Sequence, residues 1–106
     1  DVLRCAYWLK GLTLHMELQV ETTTVGGTPS TALQRVIPGS HTYAGSTSPT
    51  FAVNIRDNTT YRSGSMKLSG TTMFFYTNNT TAPSSTNWAA ATNTTLVSFA
   101  GMFEVA

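Results

Sequence analysis

The chain has 106 residues, with six Lys or Arg against five Asp or Glu, 10% charged residues and 41% hydrophobic ones. That length sets one small domain, residues 1–106, as the ceiling. Thr (20) and Ser (10) are abundant while Lys occurs only twice, a composition that excludes a highly charged disordered segment and a helical bundle or coiled coil, and favours a pleated surface.

The net charge of +1 leaves no basic footprint for binding nucleic acid through its phosphates. A single cysteine, Cys5, excludes an internal disulfide framework. Set in an apolar stretch beside Arg4, it is expected to fill core, with a reactive thiolate as the alternative. No apolar run approaches the roughly 18 residues of a membrane-spanning helix. The chain opens at Asp1 inside an apolar pattern, as expected of a processed product or a fragment.

In chain order, Val2, Leu3, Ala6 and Leu9 sit near helical spacing and predict one or two helical turns running into Gly11. Leu12, Leu14, Met16, Leu18 and Val20 then alternate with Thr13, His15, Glu17, Gln19 and Glu21, the pattern of a half-buried strand. From Thr22 to Pro49, Gly and Pro among Ser and Thr predict loop, with a short strand at Ala32 to Ile37. Phe51, Val53 and Ile55 form a second alternating strand that stops at the turn-like Asp57-Asn58. Met66 and Leu68 alternate with Lys67 and Ser69 until Gly70 breaks the run. Thr71 to Thr77, around Met73, Phe74, Phe75 and Tyr76, reads as a short strand buried on both faces and ended by Asn78-Asn79. Asn78 to Thr95 reads as a long polar loop anchored by Trp88. Val97, Phe99, Phe103 and Val105 make a last strand in which Gly101 signals a bulge or a close neighbour. Five or six strands, little helix and no internal repeat predict an all-β antiparallel sandwich, or part of one.

No constellation points to catalysis. His15 lies on the polar face of a strand between Thr13 and Glu17, and His41 sits in a Gly-rich loop; neither has a Gly-x-Ser-x-Gly elbow to serve. Two His and one Cys at scattered positions lack the close spacing of zinc ligands. Glu17 and Glu21 share a strand face but stand too far apart to share a proton, and Arg62 to Gly70 has glycines without a phosphate-loop ending. No cofactor or metal is therefore expected. Sequons at Asn58, Asn78, Asn79 and Asn93 suit a secreted glycoprotein, yet a Thr-rich chain produces them by chance. The aromatic residues Tyr7, Trp8, Tyr43, Tyr61, Tyr76 and Trp88 fall in different elements with few basic neighbours, so core and interface anchoring outweighs a sugar- or base-stacking platform.

The opening pattern Val2-Leu3-Arg4-x-Ala6-x-Trp8, then Gly11, then Thr13-Leu14-His15-Met16-Glu17-Leu18-Gln19-Val20 resembles the small coat protein of comovirus-like plant viruses. It resembles picornavirus capsid proteins more loosely. Pro38-Gly39-Ser40, the aromatic strand at Met73 to Tyr76 and the ending Phe103-Glu104-Val105 resemble later strands of the same coat proteins in their order. The resemblance implies a viral jelly roll, here its later strands plus one short helix at the N-terminal end. It further implies a structural coat subunit that assembles in host cytoplasm with its own copies and other coat proteins into an icosahedral virion around positive-strand RNA. No RNA-binding site is identifiable among the scattered Lys and Arg. Tyr7, Trp8, His15, Glu17, Tyr61, Arg62 and Trp88 are the candidate subunit contacts. The alternative is a secreted β-sandwich binding module, for which carbohydrate is the expected ligand; a small jelly-roll enzyme using His15 or His41 ranks last.

Overall fold

Period-two patterning governs the chain from its second residue. The computed structural model describes residues 2–29, 31–45, 49–78 and 87–106. It contains strands β1 (Val2–Lys10), β2 (Thr13–Val25), β3 (Ala32–Val36), β4 (Thr50–Asp57), β5 (Thr60–Ser69), β6 (Thr72–Tyr76) and β7 (Ala91–Glu104). A 3₁₀ turn at Pro38–Ser40 is the one helical element among the described residues. All seven strands join one antiparallel sheet in the order β1-β2-β7-β4-β5-β6-β3. The all-β antiparallel class expected from the sequence is thus present as a single curled sheet, a half-barrel, with seven strands in place of five or six.

The helix expected near Val2–Leu9 is instead β1, paired with β2 in unbroken register from Val2↔Glu21 to Lys10↔Thr13. An isolated helix this short is marginal in water, whereas the same residues also alternate, with Leu3, Cys5, Tyr7 and Leu9 all on one face. Gly11 closes the hairpin. It takes φ +63° at the first position of the loop Gly11-Leu12, the conformation that a type II′ turn demands and that glycine supplies without strain. Asn58 (φ 59°) joins β4 to β5 and Gly70 (φ 56°) joins β5 to β6 by the same device. The turn signals read at Asp57-Asn58 and Gly70 therefore mark two-residue hairpins.

Curvature enters at the far end of β2. The predicted loop from Thr22 begins as strand, because β2 continues to Val25, but its register to β7 shifts between Val20 and Thr23 and again before Val25. Thr22 and Asn93 both adopt positive φ there, at 48° and 55°, and Asn93 N–H donates to Thr24 Oγ1 at 3.2 Å. Irregularities of this kind bend a sheet and raise its twist. The curl brings Val20 and Val97 face to face with Leu33 and Phe75 across a cavity of about 130 Å³.

Inside the curl lie Leu14, Met16, Leu18 and Val20 of β2, Val53 and Ile55 of β4, Met66 and Leu68 of β5, Met73 and Phe75 of β6, and Val97, Phe99 and Phe103 of β7, all buried. β3 matches the short strand expected at Ala32 to Ile37. In β6 burial is one-sided, with Met73 and Phe75 inside while Phe74 and Tyr76 are half-buried, because nothing packs fully over the outer face of the strand. Gly101 has the close neighbour that the sequence suggests: a Cβ there would lie 2.7 Å from Cζ of the Phe99 ring. Residues 79–86 of the expected Asn78–Thr95 loop lie outside the described residues, and from Ala91 that stretch is strand.

Trp88 anchors what precedes β7. Its ring is buried and its Nε1–H donates to the Phe75 carbonyl at 2.9 Å, so the one polar atom of the indole is satisfied. Next to it, the Ala89 N–H donates to Oδ1 of the buried Asp57 at 2.9 Å. Trp88→Ala is expected to lower unfolding free energy by about 3–5 kcal/mol, the usual loss for a large buried aromatic. Urea unfolding followed by circular dichroism measures it, and a loss within the range of surface substitutions would contradict the anchoring role.

Candidate interaction surface

Alternation along β1 gives this edge strand two chemically different faces. Leu3, Cys5, Tyr7 and Leu9 stand opposite Val20, Leu18, Met16 and Leu14 of β2 and so belong to the inner face. Arg4, Ala6, Trp8 and Lys10 belong to the outer face. Because β1 has strand neighbours on one side only, both faces remain open. Leu3, Tyr7, Trp8 and Leu9 are 52%, 46%, 52% and 44% exposed.

On the outer face the register brings Trp8, His15 and Met102 side by side across β1, β2 and β7. The Trp8 and His15 rings stack with centroids 5.1 Å apart and planes 4° from parallel, and Met102 is exposed beside them. Glu17, exposed, lies on the same face one row along, between Ala6 and Ala100. Leu12, exposed at the hairpin tip, extends the apolar ridge. The row on the other side brings Lys10 and Glu104 to the same face, so one aromatic stack stands among charges of both signs.

The inner face of β1 looks across to β3. Between them runs a groove of about 250 Å³ lined by Leu3, Cys5, Tyr7, Arg35, Val36 and Met73 among others. Cys5 is exposed there and is not the core filler that its apolar neighbours suggest, because no strand lies beyond β1 to cover it. Partial burial still pushes its thiol above the ordinary value, and a raised thiol is a weaker nucleophile at neutral pH.

The remaining candidates lie apart from this edge. Tyr61 and Arg62 sit on β5, near the opposite end of the sheet from the Trp8 platform. Tyr61 is exposed and receives the Arg56 guanidinium over its ring at 5.7 Å, while Arg56 Nε–H donates to the Thr94 carbonyl at 2.8 Å. Arg62 is exposed. Trp88 is part of the core and presents no surface to a neighbour. His41 packs against Gly39 near Tyr7, away from His15. Among the described residues no three of His, Cys, Asp and Glu gather where they could hold a metal ion, and no helix is long and apolar enough to cross a membrane.

Sequence reasoning thus finds Tyr7, Trp8, His15 and Glu17 on the β1–β2 hairpin, with the two aromatics on opposite faces. It misses Met102, whose place beside His15 depends on a pairing between segments about eighty residues apart. The chain matches no protein-family model, no curated protein and no solved structure.

Two outcomes follow from this geometry. Trp8→Ala is expected to lower stability by about 0.5–1.5 kcal/mol, the worth of an aromatic stack, several-fold less than at Trp88; equal losses in urea unfolding would contradict the placement of Trp8 on an open face. Because the folded chain favours the neutral Cys5 thiol, the pH profile of its alkylation by iodoacetamide should lie at higher pH than that of the urea-unfolded chain. Coincident profiles would show that the β1 environment does not act on the thiol.

Proposed function

We propose that this chain is a structural coat-protein subunit, one that packs against copies of itself and other coat subunits in an icosahedral shell around positive-strand RNA. The observation that carries the reading is the open apolar edge: Leu3, Tyr7 and Leu9 on one face of β1, Trp8 on the other, and Leu12 and Met102 beside them. Covering the part of each that is still exposed contributes on the order of 1 kcal/mol, and contiguous apolar surface of this kind marks an interaction site. The low charge limits repulsion between symmetry-related copies, and the many Thr and Ser residues hydrogen-bond across wet contacts at little desolvation penalty.

The opening segment supports the same reading through its resemblance to comovirus-like coat proteins. Where those have a helix running into a strand, this chain has the first arm of a hairpin, so the proposal rests on the open edge and not on a helix. The seven-stranded half-barrel would then belong to a viral jelly roll, assembled in host cytoplasm and carried in the virion. RNA has no assigned contact, since the Lys and Arg residues are spread over β1, β3, β4 and β5 and Arg56 is held by Thr94 and Tyr61. The role is architectural: His15 stacks on Trp8 and His41 stands apart.

Negative-stain electron microscopy with peptide mass mapping of the native source is the direct test. Icosahedral particles whose protein contains these 106 residues are the expected result. A discrete monomer, above all one glycosylated at a sequon, would overturn the reading in favour of a secreted binding module. Trp8→Glu and Met102→Glu are each expected to abolish particle assembly while leaving the far-ultraviolet circular dichroism of the subunit unchanged. Particles that form normally with both substitutions would remove the outer ridge from the interface.

A further inference from the structure

Val20 and Val97 are the last regular pair of the β2–β7 register before it shifts, and the next pair is Thr23↔Thr95. The shift leaves both threonines on the inner face, since Thr95 belongs to the inward series of Val97 and Phe99 and Thr23 stands opposite it. Two hydroxyls thus enter the apolar interior side by side at the bend. Thr95 is fully buried, Oγ1 of Thr23 is buried as well, and among the described residues neither hydroxyl has a hydrogen-bond partner. They do not bond to each other, as threonines facing across a sheet can. Buried polar groups are nearly always satisfied, so two adjacent orphans point to an occupant that supplies the bonds.

Both threonines line the cavity of about 130 Å³ between the β2–β7 end of the sheet and β3. Its body is apolar, formed by Val20, Val97, Leu33 and Phe75. Gln34 and Arg35 also line it and are exposed, so it reaches the surface beside β3. Gln34 stands with Phe74 on the outer face, and Arg35 already has an interaction of its own. Recognition of an occupant's polar group therefore falls to the two hydroxyls.

Size and polarity select the occupant. Apolar cavities of about 150 Å³ take up a benzene ring, whereas an ordered water needs two to four polar partners. Here two hydroxyls stand at one end of an aliphatic and aromatic chamber. They carry no charge to offset the desolvation of an ion, but each can both donate and accept.

We propose that this cavity is a binding site for a small neutral molecule with an apolar body the size of one six-membered ring and a single hydroxyl, of which phenol is the simplest. The ligand hydroxyl donates to one threonine oxygen and accepts from the other, and its ring lies among Val20, Val97, Leu33 and Phe75. The inference rests on the cavity and its hydroxyl pair, and holds whether or not the chain is a shell subunit.

The test compares phenol with benzene on the full chain and on the double variant Thr23→Val/Thr95→Val, which keeps side-chain shape and removes both hydroxyls. In urea unfolding without ligand the variant is expected to be at least as stable as the parent, because a buried hydroxyl without a partner opposes folding. In titrations followed by nuclear magnetic resonance, phenol is expected to contact the methyl groups of Val20, Leu33 and Val97. The ratio of phenol affinity to benzene affinity should fall about tenfold or more in the variant, the worth of two ordinary hydrogen bonds. The proposal fails if phenol does not reach these methyl groups or if the ratio is the same in both proteins. It fails equally if the variant is clearly less stable, which would show that ordered water alone satisfies the hydroxyls.

Discussion

The row of apolar side chains along the inner face of β2 is the interaction on which the rest of the molecule depends. Leu14, Met16, Leu18 and Val20 are each no more than 5% exposed, and full burial of such residues contributes about 1.5–3 kcal/mol apiece. A slip of one residue in either neighbour would turn that neighbour's own inward row toward water, so β2 dictates the register of β1 on one side and β7 on the other. Regular pairing to β7 holds from Thr13 to Val20 and then shifts. The shift lies where Thr22 and Asn93 take positive φ and the Thr24 hydroxyl bonds to Asn93 across the two strands, and there the sheet acquires its curl. Core, register and curvature are consequences of one strand.

That strand is also the element most legible in the sequence. Ten residues of strict alternation admit no other reading, and the turns at Asn58 and Gly70 are legible because few residues tolerate φ > 0. β1 is ambiguous for a physical reason: in nine residues with Val2, Leu3, Cys5, Ala6, Tyr7, Trp8 and Leu9 all apolar or aromatic, periods of 2.0 and 3.6 fit about equally. Only the partner strand decides between them. Trp88 is legible as an anchor but its partner is not, since the Phe75 carbonyl that accepts from its Nε1–H lies on β6, which pairs with β5 and β3 and not with the segment around Trp88. The exposure of Cys5 is invisible in the sequence, because apolar neighbours signal core for an inner strand and open surface for an edge.

Edge position thus accounts for most of the surface chemistry. The same alternation that buries β2 leaves β1 with an aromatic stack outside and an aliphatic groove inside, and neither face is covered. The cations on the interior strands are engaged differently: Arg56 reaches the Thr94 carbonyl and the Tyr61 ring, and Lys67 lies 5.6 Å from the centroid of Tyr76. These cation–π contacts spend positive charge on the protein's own aromatic residues.

β7 lies between β2 and β4 in the sheet although it is last in the chain. Everything N-terminal to it forms two separate sets, the β1–β2 hairpin and the β4-β5-β6-β3 meander, and no strand pairing among the described residues joins them except through β7. During synthesis each set can form its local hairpins, but the inner faces of β2 and β4 wait for residues 91–104 to emerge. Long-range pairings of this kind slow folding and prolong the exposure of apolar strands. The strand that unites the molecule therefore emerges after both of the sets it joins, and until then the two sets have no shared sheet.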